Sequence, residues 1–189
     1  MARIIELLQQ EHRDIRALLN VLEDEVAVFD RQERPDYEII KAVISYFQDY
    51  PDCCHHPKED MIFAKLKERD PVAAKRIGDL DAEHRDEARR LARVEHVVRN
   101  ILLDRDIPRT AFDDIMSDFI EQQRRHIDME ERVFFPAVAK ALQPEDWTNI
   151  DAAWNDQKNS LFNVAMEENC QSLRDRVLLW GRENRANRN

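Results

Sequence analysis

Two histidines in the sequence are each followed by a glutamate four residues later: His55 by Glu59, and His126 by Glu130. Residues four apart on a helix lie on neighbouring turns of one face, so each pair can direct an imidazole and a carboxylate at one point. Iron, manganese and zinc all accept this combination of ligands. A chain so rich in acidic residues should contain about one such pair by chance, so the pairs need support from the surrounding sequence.

Two further histidines interrupt apolar stripes of helical periodicity. His12 continues the series Ile4, Leu8, Ile15 and Leu19, and His84 continues the series Ile77, Leu80 and Leu91. A single histidine in such a place is more often a hydrogen-bonded core residue than a ligand. One inward histidine on each of four helices, with two carboxylates at matching offsets, is a more specific pattern. Buried carboxylates that meet among histidines require a counter-charge, so the pattern predicts a site for one or two cations.

Other residues near these positions offer alternatives. His56 and Asp60 are also four apart, although matching Glu59 and Asp60 to the acidic pair at 130–131 favours the register of His55. His96 has no acid four residues later and is predicted to be an ordinary surface or interface histidine. Adjacent cysteines at 53–54 are either redox-active thiols or, as we favour, small buried residues at a kink. A ferritin-like site is disfavoured because no histidine has a glutamate three residues before it.

The elements that must position these residues are predicted to be helices throughout. The sequence contains only two glycines, whereas a fold with many β-turns needs more, and 36% of its residues are charged and 43% hydrophobic. Apolar periodicity predicts an antiparallel up-down-up-down four-helix bundle over residues 1–142. Its predicted helices are Ala2–Asp30, a second region that reaches Arg69 with a kink or break between Tyr50 and Pro57, Pro71–Leu103, and a fourth that begins after Pro108 with Thr110 as its N-cap and ends before Pro144.

Residues 143–189 are predicted to form a helical extension. A short helix, Glu145–Trp154, and a longer one, Leu161–Trp180, contain the three tryptophans of the chain, Trp147, Trp154 and Trp180. We expect these large side chains to dock the extension on the bundle, and the polar end from Gly181 to Asn189 to be frayed.

Composition excludes several classes of function. The net charge of −10 and pI of about 5.1 disfavour nucleic acid as a partner. No apolar run approaches the roughly 20 residues of a membrane span, and the N-terminus lacks a signal-peptide pattern. Three cysteines do not form a disulfide framework, so a cytoplasmic location is predicted. No nucleophile motif or phosphate-binding loop occurs, so catalysis is left open and would be redox chemistry.

The histidine motifs resemble those of the hemerythrin and HHE cation-binding domains. Residues 55–63 are similar to the second-helix motif of that family, and residues 126–136 are similar to its fourth-helix motif. The residues around Glu11-His12 and Glu83-His84 resemble its first and third histidine signatures, so the resemblance covers about residues 1–142. It implies a non-haem di-iron centre with carboxylate and oxo bridges. It also implies that the terminal ligands are His12, His55, His84 and His126 and that the bridging ligands are Glu59 and Glu130.

One departure from that family bears on function. Oxygen-carrying hemerythrins have another histidine one turn after the third-helix histidine, and Ala88 stands there in this chain. The vacant position favours a protein that binds, senses or reacts with O2, NO or peroxide, or handles iron under oxidative or nitrosative stress. The alternative is a metal- or redox-responsive interaction module, with a protein partner or a second copy of the chain bound through the extension. Zinc or manganese would accept the same ligands.

Overall fold

The computed structural model describes residues 2–103, 105, 107–158 and 161–188, without the side chains of residues 161 and 162. Over these residues the chain is helical and contains no strand, so the all-α prediction is confirmed. None of these helices is long and apolar enough to cross a membrane. The helices are α1 Arg3–Asp30, α2 Tyr37–Tyr50, α3 His56–Arg69, α4 Pro71–Ile77, α5 Leu80–Leu102, α6 Arg109–Met129, α7 Phe135–Ala141, α8 Pro144–Lys158 and α9 Leu161–Arg188.

The helices pack around two hydrophobic clusters. Helix α1 packs against α2, α6 and α9, helix α5 packs against α2 and α6, and α3 packs against α7 and α8. On α1, Leu8 belongs to one cluster and Ile15 to the other, and His12 lies between them. On α5, Leu80 and Leu91 divide in the same way. A polar layer therefore crosses the core at the level of the predicted site.

Two helices continue through π-helical turns instead of breaking. Pro51–His55 joins α2 to α3, and Glu130–Phe134 joins α6 to α7. The predicted kink or break near Tyr50 is thus an uninterrupted helix with one wider turn. Pro51 and Pro57 lie within this continuous helix, at the start of the π turn and in the first turn of α3, and each lacks the N–H that would bond to the preceding turn. π turns of this kind occur frequently at functional sites.

The predicted third helix is divided in two, which corrects the continuous helix expected from Pro71 to Leu103. Helix α4 ends at Ile77, and Gly78 has a φ of 106°, which a residue with a Cβ rarely adopts. The side chain of Asp79 then caps α5 by accepting a hydrogen bond from the Ala82 N–H. The stripe continues across this break because Ile77 and Leu80 are buried in the same cluster.

The predicted N-cap of the fourth helix is wrong. Thr110 lies within α6, and Pro108 is the N-cap residue, without a side-chain cap. Pro108 has a ψ of 134°, an extended conformation from which a helix can start. The fixed φ of proline thus determines the start of this helix, and the capping hydroxyl of Thr110 is not used.

The C-terminal helix extends further than the sequence predicts. Helix α9 continues through Gly181 to Arg188, so the expected frayed end is wrong over residues 181–188; Asn189 lies outside the described residues. Gly181 is buried against Val21 of α1. The Arg188 guanidinium donates hydrogen bonds to both carboxylate oxygens of the buried Glu25, at 2.9 and 3.0 Å. These contacts fix the last turns of α9 on α1.

Candidate metal centre

The six predicted ligand residues converge in the polar layer between the two clusters. One group consists of His12, His55, Glu59 and Glu130, and a second consists of Glu59, His84, His126 and Glu130. Within each group one ligand atom from every residue lies within 4.8 Å of all the others. The two groups share both carboxylates, so the arrangement offers two adjacent positions for cations.

Each shared carboxylate directs its two oxygens to different positions. Oε1 of Glu59 lies 3.4 Å from His55 Nε2, and Oε2 lies 3.5 Å from His84 Nε2. Oε2 of Glu130 lies 3.2 Å from His12 Nε2, and Oε1 lies 3.0 Å from His126 Nε2. A carboxylate that faces two positions in this way has the geometry needed to bridge two cations.

The atoms that face the centre are buried and lack conventional partners. Both oxygens of Glu59 and Glu130, and Nε2 of three histidines, have no hydrogen-bond partner among the described residues. The side chains of Glu59 and Glu130 are 0% exposed. Leaving such groups without partners is costly, and bound cations remove that cost. The donor set of four imidazoles and two carboxylates therefore fits the cation site that the sequence predicts.

The opposite ring nitrogens are held by neighbouring glutamates. Nδ1 of His55 lies 2.8 Å from Glu11, and Nδ1 of His126 lies 3.0 Å from Glu83. Glu11 directly precedes a predicted ligand on the first helix and contacts the histidine of the second helical region. Glu83 directly precedes a predicted ligand on the third helix and contacts the histidine of the fourth. Hydrogen bonds on the remote nitrogen orient an imidazole and direct its other nitrogen to a metal.

Two cationic side chains support this outer layer. The Arg16 guanidinium donates to both oxygens of Glu131, which lies 3.1 Å from Nδ1 of His12. The buried Lys58 ammonium donates to Glu11 Oε1 at 2.7 Å and lies 4.6 Å from the ring centroid of Trp154 in α8. The C-terminal region therefore contacts the outer layer of the site.

The pKa values show how the protein balances these charges without a cation. Burial alone lowers the pKa of His12, but the close carboxylates of Glu130 and Glu59, at 3.2 and 3.8 Å from its Nε2, raise that pKa to about 10. The pKa of His126 is also raised despite burial, chiefly by Glu130. Burial favours a higher pKa for Glu59, yet the surrounding imidazoles lower it well below its usual range. Protons on the histidines thus supply the positive charge that a cation would supply.

The alternative residues lie outside both ligand groups. His56 stacks on His84, with 3.7 Å between ring centroids, and its Nε2 lies 3.5 Å from Glu87. Asp60 and His96 are exposed. Sequence reasoning missed the contacts of Glu11 and Glu83, although both directly precede predicted ligands.

Cys53 and Cys54 lie in the π-helical turn that ends with His55. The structure joins these adjacent residues by a disulfide, and Cys170 in α9 is a buried free thiol. Cys54 is buried, and its carbonyl oxygen accepts a hydrogen bond from Lys58. The pair is therefore connected to the outer layer of the site in two ways: Cys54 directly precedes His55 in the chain, and Lys58 contacts both Cys54 and Glu11.

Comparison with known proteins agrees with this geometry. The family model for the hemerythrin HHE cation-binding domain matches residues 3–138. The chain therefore belongs to the hemerythrin HHE cation-binding domain family, and cation binding is the property that defines its site. No curated protein and no solved structure matches the chain.

Proposed function

We propose that the protein is a non-haem di-iron protein that binds, senses or reacts with O2, NO or peroxide, or handles iron under oxidative or nitrosative stress. The observation that carries this proposal is the sharing of Glu59 and Glu130 by two adjacent ligand groups. One iron would be held by His12 and His55 and the other by His84 and His126, with both carboxylates between them. Iron in such a site would supply one- and two-electron exchange with small oxidants.

We further propose that the site lies in an antiparallel up-down-up-down bundle formed by residues 1–142, with residues 143–189 as its extension. The packing of α1 with α6 and of α2 with α5 supports this arrangement. Helices of a bundle that face one another are a recurrent framework for carboxylate-bridged metal pairs.

A cavity beside the second ligand group supports access by a small ligand. It has a volume of about 210 Å³ and is lined by His56, His84, Glu87 and Ala88, among others. Ala88 stands where the resemblance to oxygen carriers would put a further histidine, so its small side chain leaves space near His84. A diatomic molecule or peroxide fits a cavity of this size, whereas a large organic substrate does not.

Anaerobic reconstitution with ferrous iron tests the proposal. We expect about two irons per chain, and near-ultraviolet absorption bands of an oxidised di-iron site after exposure to air. Changing His55 and His126 together to alanine should abolish both results, whereas His96→Ala should preserve them because His96 is exposed and remote from the ligand groups. Spectra that do not respond to O2, NO or peroxide would contradict the small-ligand function.

A second candidate function is a metal- or redox-responsive interaction module. It is favoured by the packing of α9 against the π-helical turn Pro51–His55, which contains both the disulfide and a predicted ligand. A change at the metal centre would reach α9 through this turn and alter the surface offered to a protein partner or a second copy of the chain.

Limited proteolysis of α9 separates the two functions. Cleavage rates that differ between the metal-free, ferrous and oxidised states would support the interaction module. Identical cleavage patterns, together with spectral changes on exposure to small ligands, would support the first function alone.

A further inference from the structure

Glu87 is a buried carboxylate beside the site that the predicted ligand set does not include. It lies on α5, one turn after His84, and is 8% exposed. Its Oε1 is 3.6 Å from Nε2 of His126, the nitrogen that also faces Glu130. Like the atoms of the two shared carboxylates, this oxygen is buried and has no hydrogen-bond partner among the described residues.

The carboxylates around the site fall into two classes. Glu11, Glu83 and Glu131 approach the remote Nδ1 nitrogens and form hydrogen bonds with them. Glu59 and Glu130 approach the Nε2 nitrogens, and their oxygens have no such partners. By its position and its lack of a partner, Oε1 of Glu87 belongs to the second class.

The only other described side chain with a buried oxygen of this kind lies far from the site. Asp113 interacts with Asp30 and lies near the start of α6, thirteen residues before His126. At 1.5 Å per residue this separation along the helix is about 20 Å. The buried oxygens without partners that lie at the site therefore come from Glu59, Glu130 and Glu87.

From this geometry we propose that Glu87 is a seventh protein ligand, which binds the cation held by His84 and His126. The inference rests on the proposed function, since it requires cations at the shared carboxylates. Metal–ligand distances of about 2.0–2.2 Å put neighbouring ligand atoms about 3 Å apart and opposite ones about 4 Å apart. The 3.6 Å between Glu87 Oε1 and His126 Nε2 lies within that range.

The seventh ligand makes the two cation positions unequal. Three residues after His12, in the place that corresponds to Glu87 after His84, the chain has the buried apolar Ile15. The position of His84 and His126 then has five protein ligands, whereas that of His12 and His55 has four. The first cation should bind more tightly at the five-ligand position because it has the additional negative charge and donor.

Glu87 also lines the cavity beside this position. Its side chain lines the cavity together with His56 and His84, and its second oxygen lies 3.5 Å from Nε2 of His56. A small ligand in this cavity would therefore lie beside the Glu87 carboxylate, and it would compete with Glu87 for a coordination position on this cation.

Anaerobic titration with Co2+ tests the assignment, because the intensity of its visible absorption bands rises as its coordination number falls. We expect the parent protein to bind two Co2+ ions in two unequal steps. Glu87→Gln should weaken the tighter step about 100-fold, the upper end of the effect of losing even an outer partner of a metal ligand. It should also intensify the bands of the ion bound in that step.

Two further variants separate ligation from charge and from general disturbance. Glu87→Asp keeps the charge but withdraws the carboxylate by one methylene, so it should weaken the tighter step as well. Asp81→Asn is the matched control: it removes a carboxylate charge from the same helix, but Asp81 is exposed and lies outside both ligand groups, so this variant should preserve the affinity and the band intensity. Circular dichroism establishes that each variant is folded.

Each outcome decides between the proposals. If both Glu87 variants bind Co2+ with parental affinities and spectra, Glu87 is not a ligand, and the six-residue site stands without it. If the parent protein binds no Co2+, both this inference and the proposed metal function are wrong. A weakened tighter step with changed bands in both Glu87 variants, and parental affinity and bands in Asp81→Asn, supports the seventh ligand.

Discussion

At the scale of single residues, the site is a set of buried charges, and the way they are neutralised depends on whether a cation is bound. Without a cation, protons on His12 and His126 offset the shared carboxylates, as the raised pKa values of both rings show. In the proposed metal-bound state the same nitrogens would bind the cation and would have to be free of protons. Proton binding and cation binding would therefore compete for the same atoms.

The affinity of the site for divalent cations should fall as the pH falls. The pKa of His12 is about 10, so this ring is protonated at pH 7 in the cation-free protein and must lose its proton on binding. Displacement of about one proton per cation lowers the apparent affinity about tenfold per pH unit. Competition with a chelator of known proton affinities, between pH 6.5 and 8.5, measures this slope. An affinity that does not change over this range would contradict the prediction.

Lys58→Met should lower the free energy of unfolding of the metal-free protein by about 3 kcal/mol. The substitution removes the ammonium group that donates to Glu11 at 2.7 Å and leaves a buried carboxylate with a weaker counter-charge. Burial raises the pKa of Glu11, but its hydrogen bond with His55 and its interactions with Lys58 outweigh burial and lower that pKa.

Urea unfolding measures that effect, with Lys41→Met as the control. Lys41 forms an exposed ion pair with Glu38, so its loss should change the free energy of unfolding by about 0.5 kcal/mol or less. Equal effects of the two substitutions would show that the buried pair does not stabilise the protein.

At the scale of helices, close approach between α9 and α1 depends on one glycine. A Cβ at Gly181 would lie 2.7 Å from Cγ2 of Val21, closer than real side chains approach. Val21 is β-branched, and its stiff side chain cannot turn away freely. Gly181 therefore sets the distance between two helices that both contribute to the larger hydrophobic cluster.

Gly181→Leu should detach the end of α9 and lower the free energy of unfolding by about 1–3 kcal/mol through overpacking. Limited proteolysis should then cleave α9 faster than in the parent protein. Ala186→Leu supplies the control, because Ala186 is exposed on the same helix and leucine is tolerated there. Parental cleavage rates for Gly181→Leu would show that the contact is not needed for docking.

Helical periodicity in the sequence predicts which histidines face inward, because the face of a helix follows from residue spacing alone. It does not predict the break at Gly78 or the π turns at 51–55 and 130–134. A break that leaves Ile77 and Leu80 in one cluster does not disturb the apolar pattern, and a wider turn depends on tertiary packing. The sequence does not predict the contact of Glu87 with the site either, because a buried glutamate next to the core stripe has the same sequence pattern as a solvated one.

At the scale of the whole molecule, the polar layer makes stability depend on cation binding. The layer divides the two hydrophobic clusters and leaves carboxylate oxygens without partners in the cation-free protein. A cation that binds only the folded chain shifts the folding equilibrium toward it. We therefore expect the proposed metal centre to stabilise the fold as well as to supply the proposed chemistry.

Zinc, which is redox-inert, should raise the thermal unfolding midpoint. At a free concentration of 100 times its Kd, it stabilises the fold by about 2.7 kcal/mol per site, or roughly 5–10 °C for a chain of this size. Glu59→Gln should abolish most of that rise, because Glu59 belongs to both ligand groups, whereas His96→Gln should preserve it. Scanning calorimetry with zinc and with chelator gives both values. An equal rise in Glu59→Gln would show that zinc binds elsewhere.

The contacts of Glu11 with His55 and of Glu83 with His126 repeat each other. Their partners are 44 and 43 residues apart, and each contact joins a glutamate beside one histidine to the histidine of the following helical region. The centre is thus assembled from two half-sites of the same design, as in a symmetric homodimer fused into one chain. The two half-sites differ at the corresponding positions Ile15 and Glu87. A residue change at such a position can alter the ligands of one half-site while the other keeps its own.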